Sequence, residues 1–453
     1  MYFRPEGALT ATAKAPGIDS RAIWAIALPA MVTNVATALI GIGDMWIVGR
    51  LGDAPTQGAV DVGARLFAVL FTVMNFLKTG TTGLVAQAGT RDGEAKQAAM
   101  LLRGLLVGLT IGALLLLLFK PIILPFALDA LGAQGEVRGA ADTYADIRYW
   151  SAPFVMANFA AIGFLVGQRR MTTVLVIEVA YNLLNVGLGL WFVLGLEWGI
   201  AGIGWSSLSA EVAKFGVLAA ILLGGASGAA LLARVKQGGL ARLSQLVPFI
   251  KVNRDLFLRT LVLAVALAAL TRLSAERGAV ALAANGIIYQ LFIFTALLLD
   301  GFENAAQVLN GERTGARDRA GFTRYIGAIM WRGMAMAALV AAAFALVGGP
   351  VLESFAATEA VAREARALGW WLVVIPFAGL AGFVFDGVYV GASWTRAILL
   401  TMIGAALVYA IALWASWPLG NHGLWLSFTL FLVARAAFQA ALLPRLLNRE
   451  FGP

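Results

Sequence analysis

The sequence predicts an all-α integral membrane protein with twelve transmembrane helices in two six-helix lobes, and three observations predict it. Of the 453 residues, 60% are hydrophobic and only 13% charged, with a mean hydropathy of +0.83. A soluble domain needs far less apolar surface for its core. The apolar runs recur near the roughly 20 residues that a helix needs to cross hydrocarbon, and none reads as a strand ladder, so a helical bundle is expected over a barrel. The two halves of the chain also echo each other.

Twelve spans are expected, at about 21–48, 60–87, 99–127, 145–167, 171–195 and 200–223, then at about 256–276, 279–309, 325–349, 366–391, 395–416 and 423–445. The first run is too long for a signal-peptide core and lacks a convincing cleavage site, so it is expected to remain as a span. The organisation that follows is a segment 1–20, an amino-terminal lobe 21–223, a linker 224–255, a carboxyl-terminal lobe 256–446 and a tail 447–453. In the linker, Arg234, Lys236, Arg242, Lys251 and Arg254 interleave with Leu and Val, the pattern of an amphipathic segment on the cytoplasmic membrane surface.

Topology follows from the Lys and Arg count. The amino terminus, the even-to-odd connections and the carboxyl terminus together collect 22, against nine on the other side, among them Arg148; Arg259 counts with the 22. Both termini are therefore expected in the cytoplasm. The net charge of +9 is scattered between apolar runs, so it reads as a topological signal and no nucleic-acid partner is expected. There is no cysteine, hence no disulfide, thiolate metal site or cysteine nucleophile.

The echo between halves pairs Tyr149-Trp150 and Pro153-Phe154 with Trp370-Trp371 and Pro376-Phe377, Gly204-Trp205 with Leu424-Trp425, and Gln87 with Gln307. Six plus six spans start both halves on the same side, so the repeat is parallel, with its axis along the membrane normal. Such a repeat builds a cleft between two lobes.

Polar residues inside the spans mark the candidate site. On the first helix, Asn34, Thr37, Gly41 and Asp44 recur at three, four and three, one thin polar face. A carboxylate in the bilayer costs about 2.5–3.5 kcal/mol even on the lenient insertion scale, so Asp44 reads as part of an ion or substrate pathway; the alternative is a carboxylate that snorkels to an interface. Glu178, Asn182 and Asn185 make a second stripe, continued by Gly189, and Asn75, Lys78 and Thr82 a third, with Lys78 the expected counter-ion for an acid there. In the eighth span Asp300, Glu303, Gln307 and Asn310 share one face.

With Glu211 and Asp386, the spans hold six acids against the three bases Lys78, Lys214 and Arg435. Glu211 and Lys214, three apart, are expected to pair, and Arg435 is a candidate partner for Asp300 or Glu303, as a salt bridge or within a transport site. His422, the only histidine, reads as a loop residue. Trp150, Trp370, Trp371, Trp414 and Trp417 near span ends read as an interfacial belt, and Pro29, Pro153 and Pro376 as kinks. No zinc-type histidine motif, phosphate loop or nucleotide-binding domain is present. The chain is thus expected to be no enzyme, to need no cofactor, and to draw any pumping from an ion gradient.

Several stretches resemble the multidrug and toxic compound extrusion (MATE) family, DinF-like branch. They are Ala27-Leu28-Pro29 leading to Gly43-Asp44-Met45-Trp46-Ile47-Val48-Gly49; Thr81-Thr82-Gly83-Leu84 with Ala86-Gln87-Ala88; Asn182-Leu183-Leu184-Asn185; Leu299-Asp300-Gly301-Phe302; Gly315-Ala316-Arg317-Asp318; Asp386-Gly387 with Gly391-Ala392; and Gly420-Asn421-His422-Gly423-Leu424-Trp425. The resemblance implies a V-shaped antiporter of the bacterial inner membrane that exports amphipathic and often cationic compounds in exchange for protons or sodium ions; a monomer is expected. It makes Asp44 the coupling carboxylate and brings in Asn185 and Ser207 as companions. One departure matters: a second aspartate of the family's fifth span is Gly189 here. A hard cation wants several oxygens, so proton coupling is favoured, with sodium as the alternative. A lipid-linked precursor flippase of the same superfamily is the rival reading; the excess of acids in the spans argues against it.

Overall fold

A computed structural model of the chain describes residues 18–49, 54–130, 134–225, 227–238 and 242–452; the side chains of 38–49, 54–61, 64, 65, 130 and 243 lie outside that description. All regular structure among the described residues is helical. Ten helical segments there are long and apolar enough to cross a membrane, and the last, Thr395–Phe451, is a continuous run that holds two spans. With the 30-residue first helix this makes twelve.

The amino-terminal lobe begins with α1 (Ser20–Gly49), whose first turn is capped by the Asp19 carboxylate accepting from the Arg21 and Ala22 amides at 2.9 and 3.2 Å. The second span is α2 (Ala54–Met74) and α3 (Phe76–Arg91), broken at Asn75; the third is α4 (Glu94–Leu118), which runs through a π turn into α5 (Leu124–Ala130). The fourth is α6 (Gly135–Arg148) with α7 (Ala152–Gly167), and the fifth and sixth are α8 (Met171–Leu190) and α9 (Gly199–Gly224). A short α10 (Ser227–Gln237) leads to α11 (Leu243–Ala275), so the second half of the linker is the start of the seventh span. The carboxyl-terminal lobe continues with α12 (Ala279–Gly315), α13 (Arg319–Phe355), α14 (Glu359–Leu368), α15 (Trp371–Gly391), α16 (Thr395–Ser416) and α17 (Gly420–Phe451).

The parallel repeat is present, and glycines set its register. Gly163 and Gly167 of α7 press on the Lys78 and Thr82 carbonyls of α3, as Gly387 and Gly391 of α15 press on the Glu303 and Gln307 carbonyls of α12. Small residues let membrane helices approach this closely. Equivalent residues are thus 224 or 225 apart, and the turns agree: Gly93 and Arg317, like Arg169 and Ser393, share a left-handed φ. The expected alignments of Gln87 with Gln307 and of Pro153 with Pro376 are therefore corrected; Gln87 corresponds to Glu312, Gln307 to Thr82, and Pro153 to Phe377. Apolar composition is alike at many offsets, whereas the close helix approach occurs at one.

Packing joins the lobes at one end. The largest hydrophobic core unites Ile23 and Ala27 of α1, Leu77 and Val85 of α3, Phe164 of α7, Phe302 and Val308 of α12, and Val388 of α15. This is the end that carries the even-to-odd connections. Away from it the cores separate, one around Trp371, Trp425 and Phe428, the other around Phe67, Phe119 and Ile203. Trp371 thus belongs to a core and not to an interfacial belt, and its indole, like that of Trp370, donates to Nδ1 of His422 at 3.3 and 3.4 Å. His422 is correspondingly not a loop residue but stands in the first turn of α17.

Candidate functional site

Between the lobes lie two adjoining cavities. The first, of about 420 Å³, is walled mainly by α1, α3, α7, α8 and α9; the second, of about 320 Å³, by α11, α12, α15 and α17. Asn34, Asn75, Lys78, Leu297 and Asn304 line both. Helix α1 brings Asn34 to this shared wall; Pro29 lies inside it and lacks one helical donor, the Thr33 hydroxyl donates to the Pro29 carbonyl at 2.8 Å and Thr37 to that of Thr33 at 2.9 Å. Asn34 then bridges the lobes: its Nδ2 donates to Oδ2 of Asp300 at 2.7 Å and to the Leu297 carbonyl at 3.1 Å. Asn304 donates to the same carboxylate oxygen at 2.9 Å. Asp44 lies on α1, and its side chain lies outside the described residues.

In the first cavity the charges are largely engaged. Lys214 pairs with Glu178 of the neighbouring helix at 2.7 Å and stands over the Tyr181 ring at 4.5 Å. Glu211 accepts from Tyr181 at 2.8 Å and from Asn158 at 2.9 Å. The expected Glu211–Lys214 pair is thereby corrected; a partner one helix away fits the ammonium better than one a turn back on the same helix. Thr37, Lys78 and Glu178 line this cavity. Asn182, Asn185 and Ser207 are buried beside it and do not line it, and the Asn182 amide has no partner among the described residues.

The second cavity carries Asp300, Glu303, Gln307 and Arg435 in its wall. Arg435 does not pair with Asp300 or Glu303. It meets Asp386 at 3.0 Å, where Arg259 of α11 also binds and Gln439 donates at 2.5 Å. Asp386, 1% exposed, thus stands behind the wall, clamped by two guanidiniums. Gln307 donates across the lobe boundary to the Thr79 carbonyl at 2.5 Å. Lys78 makes no ion pair with any described residue, although it faces both cavities.

Two cavity residues stand where the sequence count placed loop cations. Arg148 is buried, packs over Phe67 and Phe71 and lines the first cavity; Arg259 lines the second. Removing both from the loop count leaves its asymmetry intact. With Arg103, buried on α4, they raise the bases within the spans to six, while Asp255, buried on α11, raises the acids to seven, so the excess of acids shrinks to one. Helical spacing carries the signal: Arg259, Leu263 and Leu267 form one stripe, and so do Arg148, Val155, Asn158 and Ile162.

At the joined end the contacts follow the repeat. Arg169 pairs with Glu312, and its equivalent Ser393 accepts from Gln87 at 2.8 Å, the residue equivalent to Glu312. Gln87 also donates to the Gly391 carbonyl at 2.5 Å, and Thr90 to that of Glu312 at 2.9 Å. Ala86 and Gly311, again equivalents, face each other so closely that a Cβ on Gly311 would stand 3.0 Å from that of Ala86. Burial opposes the Arg169 charge, but hydrogen bonding and attraction from Glu312 outweigh it and raise the guanidinium above its ordinary range.

The MatE family model matches residues 29–191 and 256–414, one match in each lobe. The chain belongs to the MatE family. It is 32% identical to the DNA damage-inducible protein F of Escherichia coli (strain K12), over 94% of this chain and 92% of that protein. It is 27% identical to the probable multidrug resistance protein NorM of Rhizobium meliloti (strain 1021), over 95% and 94%. Among solved structures, that titled crystal structure of MATE in the bent conformation superposes with a TM-score of 0.82 at 18% identity, covering 95% of this chain and 96% of that one. This MatE protein is accordingly a multi-pass membrane transporter of the multidrug efflux family and not an enzyme.

Proposed function

We propose that this MatE protein is a secondary antiporter that exports amphipathic, cationic small molecules in exchange for protons carried by Asp44. The observation that carries the reading is the state of three of the other acids in the spans; Asp300 accepts from Asn34 and Asn304, and Glu303, in the wall of the second cavity, is the rival carrier. Glu178 is paired with Lys214, Glu211 is held by Tyr181 and Asn158, and Asp386 is clamped by Arg259 and Arg435. A carboxylate so engaged is a poor proton carrier, because each protonation must break its partners. Asp44 shares a helix with Asn34, which reaches Asp300, so a change of charge on α1 has a route to the second lobe. Gly189 is a buried glycine of α8 and offers no side-chain oxygen, which supports a proton over a sodium ion.

With both termini in the cytoplasm, the joined end faces inward and the cavities open outward. Protonation of Asp44 in this form favours substrate release, and return to the inward-facing form delivers the proton to the cytoplasm. The ligand shifts the two forms only by its difference in affinity for them. The arginines in the cavity walls favour a second reading, transport of an anionic, phosphate-bearing lipid precursor.

Efflux of a fluorescent lipophilic cation from proteoliposomes, under a proton or a sodium gradient, tests the proposal. Proton-driven flux in the wild type, abolished by Asp44→Asn, is the expected result. Flux driven only by sodium, or undiminished in Asp44→Asn, refutes proton carriage by Asp44. No cation flux under either gradient makes the anionic reading the leading one.

A further inference from the structure

The transport reading leaves one buried charge unused. Arg103 of α4 is only 7% exposed, yet no described carboxylate touches it. Its Nη2 donates to the Gln245 side chain of α11, and its Nε has no acceptor. A buried guanidinium without an anion costs several kcal/mol, so the position calls for one.

The surroundings offer room and further charge. Arg103 lines a cleft of about 600 Å³, together with Lys96, Arg234 of α10 and a single acid, Asp92. Three cations against one carboxylate leave the cleft net positive. It opens at the end of the bundle beside α10, where Leu232 and Val235 are 54% and 53% exposed and alternate with Arg234 and Lys236. That pattern seats a helix in the headgroup region of a bilayer.

We propose that this cleft binds a phosphoryl anion, with Arg103 as its buried anchor and Arg234 and Lys96 at its rim. A planar guanidinium with unused donors matches phosphate oxygens, and the rim cations add attraction. The two sources of such an anion are the headgroup of an acidic membrane lipid and a soluble phosphate. The bound group ties α4 of the first lobe to α10 and to Gln245 of α11, and so fixes the connection between the lobes. This goes beyond the transport reading and stands or falls independently of it.

The purified full-length protein in neutral detergent provides the test, by native mass spectrometry and thermal unfolding with phosphatidylglycerol, phosphatidylcholine, glycerol 3-phosphate or inorganic phosphate. Retention of phosphatidylglycerol over phosphatidylcholine, weakened tenfold or more by Lys96→Gln with Arg234→Gln, is expected and assigns the site to a lipid. Equal protection by glycerol 3-phosphate or inorganic phosphate, lost in the same double variant, supports the site and assigns it to a soluble ligand. The pair Lys251→Gln and Arg396→Gln, in another cleft, is the control and is expected to bind as wild type. Binding by the Lys96/Arg234 variant that equals the wild type, or equal retention of phosphatidylcholine, overturns the proposal. Arg103→Gln, where it folds, is expected to lose binding altogether. If it does not fold, the rim variant decides.

Discussion

The arrangement around Asp386 shows how one residue's partners decide what its charge does. Two guanidiniums and an amide hold it, all from the carboxyl-terminal lobe, so this buried carboxylate is not left available to a ligand. Removing one member of a buried ion pair costs about 3–5 kcal/mol, chiefly through the charge left behind. Asp386→Asn leaves two guanidiniums facing each other and is expected to destabilise the protein by about that much. Arg435→Gln leaves Arg259 still on Asp386 and is expected to cost less. Unfolding of the two variants in detergent checks the order, and a smaller loss for Asp386→Asn contradicts it.

At the scale of elements, the contact of α15 with α12 depends on glycines. A Cβ at Gly387 would lie 2.2 Å from the Glu303 carbonyl oxygen, a backbone atom that cannot step aside. Gly387→Ala therefore forces the two helices apart and is expected to cost about 1–3 kcal/mol, the range for overpacking. Gly187 of α8 has nothing within 4 Å of the same position, so Gly187→Ala is expected to be neutral or to stabilise by about 1 kcal/mol or less. Comparison of melting temperatures for the two variants separates packing from helix propensity. Equal effects would place the constraint elsewhere than in the helix contact.

For the whole molecule, the question is what holds the joined end shut. Arg169–Glu312 and Ser393–Gln87 are two arms related by the repeat, one ionic and one neutral, with Ala86 and Gly311 between them. Alternating access requires all of them to part. The chain has no cysteine, so Ala86→Cys with Gly311→Cys introduces one pair at a spacing close to what a disulfide needs. Oxidation is expected to stop transport and reduction to restore it, measured as efflux from proteoliposomes. Full flux with the disulfide formed would show that this end never opens. Arg169→Glu is expected to favour the form opened at this end, and Glu312→Arg in the same chain to reverse it, as accessibility of a cysteine placed at Ala86, which faces Gly311 across the lobes, reports.

The membrane class, the twelve spans and their division into similar halves were legible in the sequence, because hydropathy is a sum over neighbouring residues and needs no knowledge of distant ones. Stripes such as Asn34 with Thr37, or Asp300 with Glu303 and Gln307, were legible too, since helical spacing alone puts them on one face. What tertiary structure decided was which charges meet. Lys214 takes Glu178 instead of Glu211, Arg435 takes Asp386, and Arg148 and Arg259 leave the loop count for the cavity walls. The register of the repeat was likewise decided by helix contact, at Gly163 and Gly387, and not by the matching of apolar residues. The physical reason is common to both: a Coulomb or steric contact acts over a few ångströms and depends on how far each helix is turned and shifted against its neighbour, which local sequence does not encode.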